Sequence, residues 1–388
     1  MVKTIHINGT LSVNNKIKVS ETTSTNRIDT VGDYSFKPTD MFPVNTSESI
    51  TGLSTLDNKW VGGALADNGK IYCCPYRTNE LLVIDTKSDT YQVYPQNNLN
   101  AYPGLNYYGC VKAGNGKIYC APSHVNNVGI IDPETNTIDT TTISGLDLMP
   151  GVTLGFAYQG AVLGPNGKVY FVPHEASNVL VVDPTDNSYS TIDLPLEQAP
   201  LDLSKWHGGV VSNTSNIYLV PRGTNAVPNV CVIDTTTDTA DFIDTTGISN
   251  RYGYECGVLA PNGNIYCMPF SSSATGGKIM TIDPSTNSVD TDLSLGISNF
   301  SGALVATNNL VYGFPSGRLN VLIFNTELDT FDTTTLSVSS TDSYSGGVLA
   351  PNNKMYVIPR NATDIPIIKT GLPKVAYPWM MAPAFNKY

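Results

Sequence analysis

The side chains of this 388-residue chain that could do chemistry are few and unevenly placed. Of four histidines, His124, His174 and His207 fall in the repeated part of the sequence, and His174 is followed directly by Glu175. An imidazole next to a carboxylate can move a proton near neutral pH, so His174–Glu175 is the candidate acid/base pair. No phosphate-binding glycine loop, nucleophile elbow or metal-spaced set of His, Asp and Glu accompanies it, which leaves catalysis weakly supported. The arginines point to recognition instead. Five of six, Arg77, Arg222, Arg251, Arg318 and Arg360, fall in loops that also carry Tyr76, Phe270 and Tyr252, near the polar Gln159, His207 and Glu255. Arginine and aromatic rings anchor interfaces, and rings stack on sugars. The candidate binding set is therefore Tyr76, Arg77, His124, His174, Glu175, Arg222, Arg251, Phe270, Arg318 and Arg360, the alternative being that each arginine pairs with an aspartate as a solubilising contact.

What positions these residues is a repeat. Trp60, Tyr107, Tyr158, Trp206, Tyr254, Phe300 and Tyr344 are each followed twelve residues later by a tyrosine opening Tyr-x-x-Pro (Tyr72, Tyr119, Tyr170, Tyr218, Tyr266, Tyr312, Tyr356), with copies 44 to 51 residues apart. A period of that size marks a repeat architecture. Within one copy, β-rich runs flank Asn166-Gly167, a hairpin signal, and a short apolar strand ending in Asp183-Pro184 and a Ser/Thr-rich strand follow. Four short antiparallel strands, a to d, repeated seven times predict an all-β, seven-bladed β-propeller. Two small residues precede each apolar a-strand run, from Gly62-Gly63 to Gly346-Gly347, as crowding at a propeller axis requires. The a–b and c–d turns are uniform and share one face. The b–c and d–a loops differ from blade to blade on the other, and it is those that carry the arginines.

The net charge of −11 argues against nucleic acid or an anionic membrane as partner, and no apolar run reaches transmembrane length. The start of the chain lacks the apolar stretch of a signal peptide. Seven cysteines, an odd number without C-x-x-C, argue against a disulfide framework or zinc and read as small buried hydrophobes. A two-residue Asn-Gly turn sets Cys120 opposite Val111 and Cys267 opposite Val258, with no cysteine facing another within a blade. No cofactor or metal is expected.

Residues 1–24 lie outside the repeat and spell a small meander that must dock on something, so they read as an attachment segment, with residues 25–388 as the propeller. Residues 25–31 are similar to the blade-two stretch 135–141, which assigns them as the outer strand closing blade seven; the rival is the tail at 374–380.

Leu82-Val83-Ile84-Asp85-Thr86 and Val181-Val182-Asp183-Pro184 resemble the repeat of YVTN-type propellers, and Gly164 to Tyr170 is similar to the blades of streptogramin lyase and gluconolactonase-like propellers. The unit Gly-Val-Leu-Ala-Pro-Asn-Gly-x-Ile-Tyr-x-x-Pro resembles propeller repeats of phage and other viral structural proteins. The lyase resemblance implies metal or acid/base residues in the central channel, where only His174 and Glu175 match. The viral one implies a non-enzymatic virion protein, made in the host cytoplasm and present in several copies. Such a protein would be held to other virion proteins by its N-terminal segment and would contact a host-surface glycan or protein through the variable face. The alternatives are a hydrolase or lyase with a channel site near His174–Glu175, and a cellular binding module.

Overall fold

The computed structural model describes residues 17–22, 28–34, 46–100, 104–148, 155–195, 204–223, 229–245, 253–270, 276–341 and 343–370. Seven four-stranded antiparallel sheets carry the repeats, and an eighth, two-stranded sheet lies near the N-terminus. In blade one the strands are Trp60–Leu65 (a), Lys70–Pro75 (b), Glu80–Asp85 (c) and Thr90–Pro95 (d), and the b and c strands are buried while d alternates towards solvent. The seven-bladed propeller expected from the repeat is thus the fold.

Both repeat columns serve the scaffold. The aromatic that opens each blade is buried to 1% exposure or less. In blades one, three and four it also pins the start of its own c strand: Trp60 Nε1 donates to Glu80 O at 2.8 Å, the Tyr158 hydroxyl to Asn178 Oδ1 at 2.6 Å, and Trp206 Nε1 to Asn229 O at 2.9 Å. The tyrosine of Tyr-x-x-Pro instead crosses to the c–d turn of the next blade. Its hydroxyl donates to Asn136 from Tyr72 (2.9 Å), to Asn187 from Tyr119 (2.7 Å), to Asn287 from Tyr218 (2.6 Å) and, around the ring, to Asp89 from Tyr356 (2.5 Å). These acceptors hold positive φ, between 54° and 60°, which Asn and Asp tolerate better than most residues. Ring burial and a half-buried hydrogen bond act together at the junctions made by Tyr72, Tyr119, Tyr170, Tyr218 and Tyr356, which gives the scaffold a reason to repeat the pattern.

The a–b turn is longer by one residue than the sequence suggested. Ala113 N bonds Lys117 O and Gly116 N bonds Ala113 O, and of the turn pair only Gly116 has positive φ (80°). This is a three-residue loop, a type I turn closed by a left-handed glycine, rather than the two-residue turn in which both residues are left-handed. Asn115 is held in it by its side chain, which donates to Tyr119 Oη (3.0 Å) and Pro184 O (2.8 Å) and accepts from Lys117 N (3.0 Å). The register moves by one throughout. Cys120 pairs with Cys110, not Val111, and Cys267 with Gly257, not Val258, so a cysteine does face a cysteine within blade two.

The closing strand is also corrected. The outer strand of blade seven is Thr46–Thr51, paired along its length with Asp364–Lys369. Residues 28–34, which overlap the stretch assigned to that role, pair instead with Ile17–Thr22 in a separate hairpin. Thr46–Thr51 has the polar character of the other d strands, and Ile50 packs on the core holding Ile365 and Ile367. Residues 374–380, the rival, lie outside the described residues, as do residues 1–16 of the attachment segment.

Candidate functional site at the axial mouth

At the axis the innermost backbones nearly touch: a Cβ on Gly160 would lie 2.9 Å from Gly208 Cα, and one on Gly302 2.1 Å from Gly346 Cα. Glycine in six blades and the small Cys256 in blade five let seven a strands converge. One position earlier in each a strand, between the aromatic and the small pair, stands a column that does not repeat: Val61, Tyr108, Gln159, His207, Glu255, Ser301 and Ser345. These seven residues line a cavity of about 290 Å³ together with Arg360 and the axial glycines. A larger groove of about 590 Å³ on the opposite face is lined by turn residues such as Asn68, Asn115, Pro133 and Asn136, which are already committed to holding blades together.

A belt of backbone hydrogen bonds holds the mouth. The residue after each repeat proline donates to the residue before the aromatic of its own blade, and in six of the seven blades its carbonyl accepts from the corresponding residue of the next. Thus Tyr76 N bonds Lys59 O and Asn106 N bonds Tyr76 O; further round, His174 N bonds Ala157 O, Lys205 N bonds His174 O, Arg222 N bonds Lys205 O and Gly253 N bonds Arg222 O. The belt fixes the post-proline side chains Tyr76, His174, Arg222, Phe270 and Arg360 around the inner column.

Of the sequence-derived set, these five come together. Arg222 lies 5.2 Å from the Phe270 ring centre, and its Nη1 is 3.4 Å from Glu255 Oε1. Arg360 lies 5.9 Å from the ring centre of Tyr108, and its Nε donates to Asn58 Oδ1 at 2.6 Å. Edge-on ring contacts run from Tyr76 to Tyr108 (5.1 Å), His207 (5.1 Å), His174 (6.3 Å), Phe156 (6.3 Å) and His124 (4.3 Å). His124 and Glu175 join the edge of this group through Phe156, and the others stand apart. Arg318 is 5.5 Å from the Phe300 ring centre and donates to Ser298 O, Arg77 is one residue beyond the belt, and Arg251 and Tyr252 lie outside the described residues.

His174 and Glu175 do not form a pair. The Glu175 carboxylate accepts from Phe156 N at 2.9 Å, bracing its own loop, while His174 Nδ1 sits 3.0 Å from Trp206 O. The group that His174 meets is His207, whose Nδ1 lies 2.5 Å from Glu255 O. A carbonyl only accepts, so Nδ1 carries the proton in both rings and Nε2 keeps its lone pair. Both imidazoles are held well below their ordinary pKa, by burial first and then by the Arg222 guanidinium, and so are neutral near pH 7. His207 Nε2 is 3.4 Å from Glu255 Oε1, lone pair towards carboxylate, which is not a hydrogen bond in that state.

The centre is therefore under-satisfied. Gln159 Oε1, His207 Nε2, Glu255 Oε2 and Arg222 Nε are all buried without a hydrogen-bond partner. Glu255 keeps Arg222 and the Tyr108 hydroxyl, the latter reaching across the channel from blade two at 3.3 Å. Burial pushes the Tyr108 phenol up to about 12, so it stays a donor. The inner column could have been found from sequence: it is the one position of the a strand at which seven aligned copies carry widely different residues.

No family model matches the chain and no curated protein matches it. Among solved structures it is similar to a streptogramin B lyase (12% identity, TM-score 0.64, 84% of this chain and 98% of that one) and to virginiamycin B lyase from Staphylococcus aureus (13%, 0.63, 84% and 99%). It is also similar to the extracellular domain of a one component system from B. thetaiotaomicron (9%, 0.58, 82% of this chain and 39% of that one). Identities this low show a shared fold alone, and a fold hosts many functions.

Proposed function

We propose that the protein is a binding module that takes a hydroxyl- or ammonium-rich group, such as the end of a glycan, into the axial mouth. The observation carrying this reading is the cluster of buried polar atoms without partners. Three of the four are acceptors, Gln159 Oε1, His207 Nε2 and Glu255 Oε2, so the ligand that completes them brings donors. Each unmet buried group costs roughly 1–3 kcal/mol, and a ligand that satisfies several recovers that cost as affinity. The rings of Tyr76, Tyr108 and Phe156, clustered on one side with Val61, offer the apolar surface that the C–H face of a sugar takes. The finer reading, a virion protein that meets a host-surface glycan or protein, rests on the repeat resemblance and is tested separately.

Calorimetry of the full chain against neutral and amino sugars is the direct test. Saturable binding that weakens at least tenfold in Arg222→Ala and Arg360→Ala is expected; binding by none of them, or binding that these changes leave untouched, ends the proposal. Co-migration of the protein with purified particles tests the virion setting, and its absence there ends that part alone. A second reading, hydrolase or lyase, is favoured by the bare His207 Nε2 beside Glu255, which is placed to accept a proton. Mass spectrometry of the bound ligand after incubation decides: an altered mass indicates catalysis, an unchanged one a binder.

A further inference from the structure

Three of the seven cysteines meet at a single blade junction. The Sγ atoms of Cys74, at the end of the blade-one b strand, and of Cys110 and Cys120, on the a and b strands of blade two, all lie within 4.8 Å of one another. Cys110 and Cys120 are cross-strand partners, and Cys74 Sγ is 3.4 Å from Gly109 O beside them. Cys74 and Cys120 are buried and Cys110 is partly exposed, which leaves an ion a way in.

The same three positions recur at the other junctions, and none of those gathers three thiols. Where Cys110 pairs with Cys120, the other blades pair Gly63 with Cys73, Ala161 with Phe171, Gly209 with Leu219, Gly257 with Cys267, Ala303 with Gly313 and Gly347 with Val357. A Cβ at Gly63 would meet Ile358 and one at Gly257 would meet Val220, residues that hold the place of Cys74 before their own prolines. Packing at this spot thus asks for a small residue against apolar neighbours. Cysteine at all three places is more than packing needs.

We propose that Cys74, Cys110 and Cys120 form a three-thiolate site for a soft, thiophilic cation, with monovalent copper the best match. Thiolate sulfur selects soft ions, and copper(I) accepts three ligands, whereas structural zinc asks for four. Among the described residues no fourth cysteine, histidine or carboxylate joins the group. Each thiol that binds the ion releases its proton to solvent.

The test titrates the reduced, full-length protein anaerobically with copper(I) against a competing chromogenic chelator, and counts free thiols before and after. One equivalent taken up, with the free-thiol count falling by three, is expected. Cys110→Ala should abolish that uptake while folding normally, because alanine already stands there in blades three and six, and Cys231→Ala, outside the cluster, should leave it unchanged. Failure of the wild type to retain one equivalent against the chelator overturns the site, as does uptake that survives Cys110→Ala. Retention of zinc(II) in preference to copper(I) overturns the three-coordinate assignment.

Discussion

The two faces of the propeller are built on opposite terms. On the turn face, most hydroxyls and amides at the junctions find partners, the buried Thr326 and Thr330 hydroxyls of blade six being exceptions, and the same partners return from blade to blade: Tyr170 donates to Asp238 as Tyr119 does to Asn187, with Asn166 and Asn115 bonding the next blade's turn carbonyl beside them. At the axial mouth the backbone is belted in the same regular way, but the side chains it carries differ in each blade and several are left unsatisfied. Repetition marks what the scaffold needs. Buried polar atoms kept without partners mark where stability has been given up, and that is the signature of a place kept for something else.

The comparison breaks first at a latch. Tyr72→Ala empties a fully buried ring site and removes the hydroxyl that reaches Asn136 and Pro133 O, so a loss of about 3–5 kcal/mol is expected in denaturant unfolding. Ligand affinity of the fraction that stays folded should not change, because Tyr72 does not line the mouth. Glu255→Gln is the opposite case. It keeps the shape but removes the charge facing Arg222 and the ligand, so affinity should fall by about 1.5–3 kcal/mol, while the unfolding midpoint moves far less than in Tyr72→Ala. Equal effects of the two changes on both readouts would erase the distinction between the faces.

Acid separates the faces as well. His174 and His207 have folded pKa values below the ordinary value of about 6.5, so between those two limits the unfolded chain binds protons that the folded one does not. Their contribution is complete above about pH 6.5 and is lost as pH falls below it, at up to about 1.4 kcal/mol per pH unit for each ring. Around them stand Arg222, Lys205 and Arg360, which oppose a further positive charge, and Glu255, which faces His207. On the turn face the loss runs the same way but begins lower. Asp132 is held below the usual carboxylate range by the Lys117 ammonium and the turn amides, so what it adds is kept above about pH 4 and lost only below it. Urea midpoints followed from pH 8 to pH 3 should fall in two stages, and His207→Gln should shrink the first alone.

Much of this was legible in the sequence, for a physical reason. Seven copies average out local ambiguity, so blade number, strand order and the small axial pair could all be read directly. The turn length could not: Asn-Gly serves both a two-residue and a three-residue loop, and only the side-chain bonds of Asn115 fix which, so the Cys110–Cys120 pairing was hidden by one residue. The closing strand was misplaced because d strands are short, polar and alike, and 25–31 reads as one about as well as 46–51 does. At the mouth, loop variability pointed to Tyr76, His174, Arg222, Phe270 and Arg360, but an adjacent pair suggested a working pair, and His174–Glu175 is not one. Tyr108 and Phe156 were missed because each looks like one more aromatic in a chain full of them.

The smallest effect is expected where the turn face looks most strongly bonded. Lys168 Nζ lies 2.6 Å from Asp238 Oδ2, crossing from blade three to blade four beside the Tyr170 latch, with side chains still 34% and 26% exposed. At that exposure the pair gains little over solvated charges, so Lys168→Met should cost at most about 1 kcal/mol, and less as salt is raised. Tyr170→Phe removes a hydroxyl whose ring is fully buried and leaves Asn166 and Asp238 each short of a partner; it should cost more than Lys168→Met and respond little to salt. If the lysine change proves the costlier, the junctions are held by charge across the turn face rather than by the repeated tyrosine, and the division between a largely saturated scaffold and an unsaturated mouth loses its first premise.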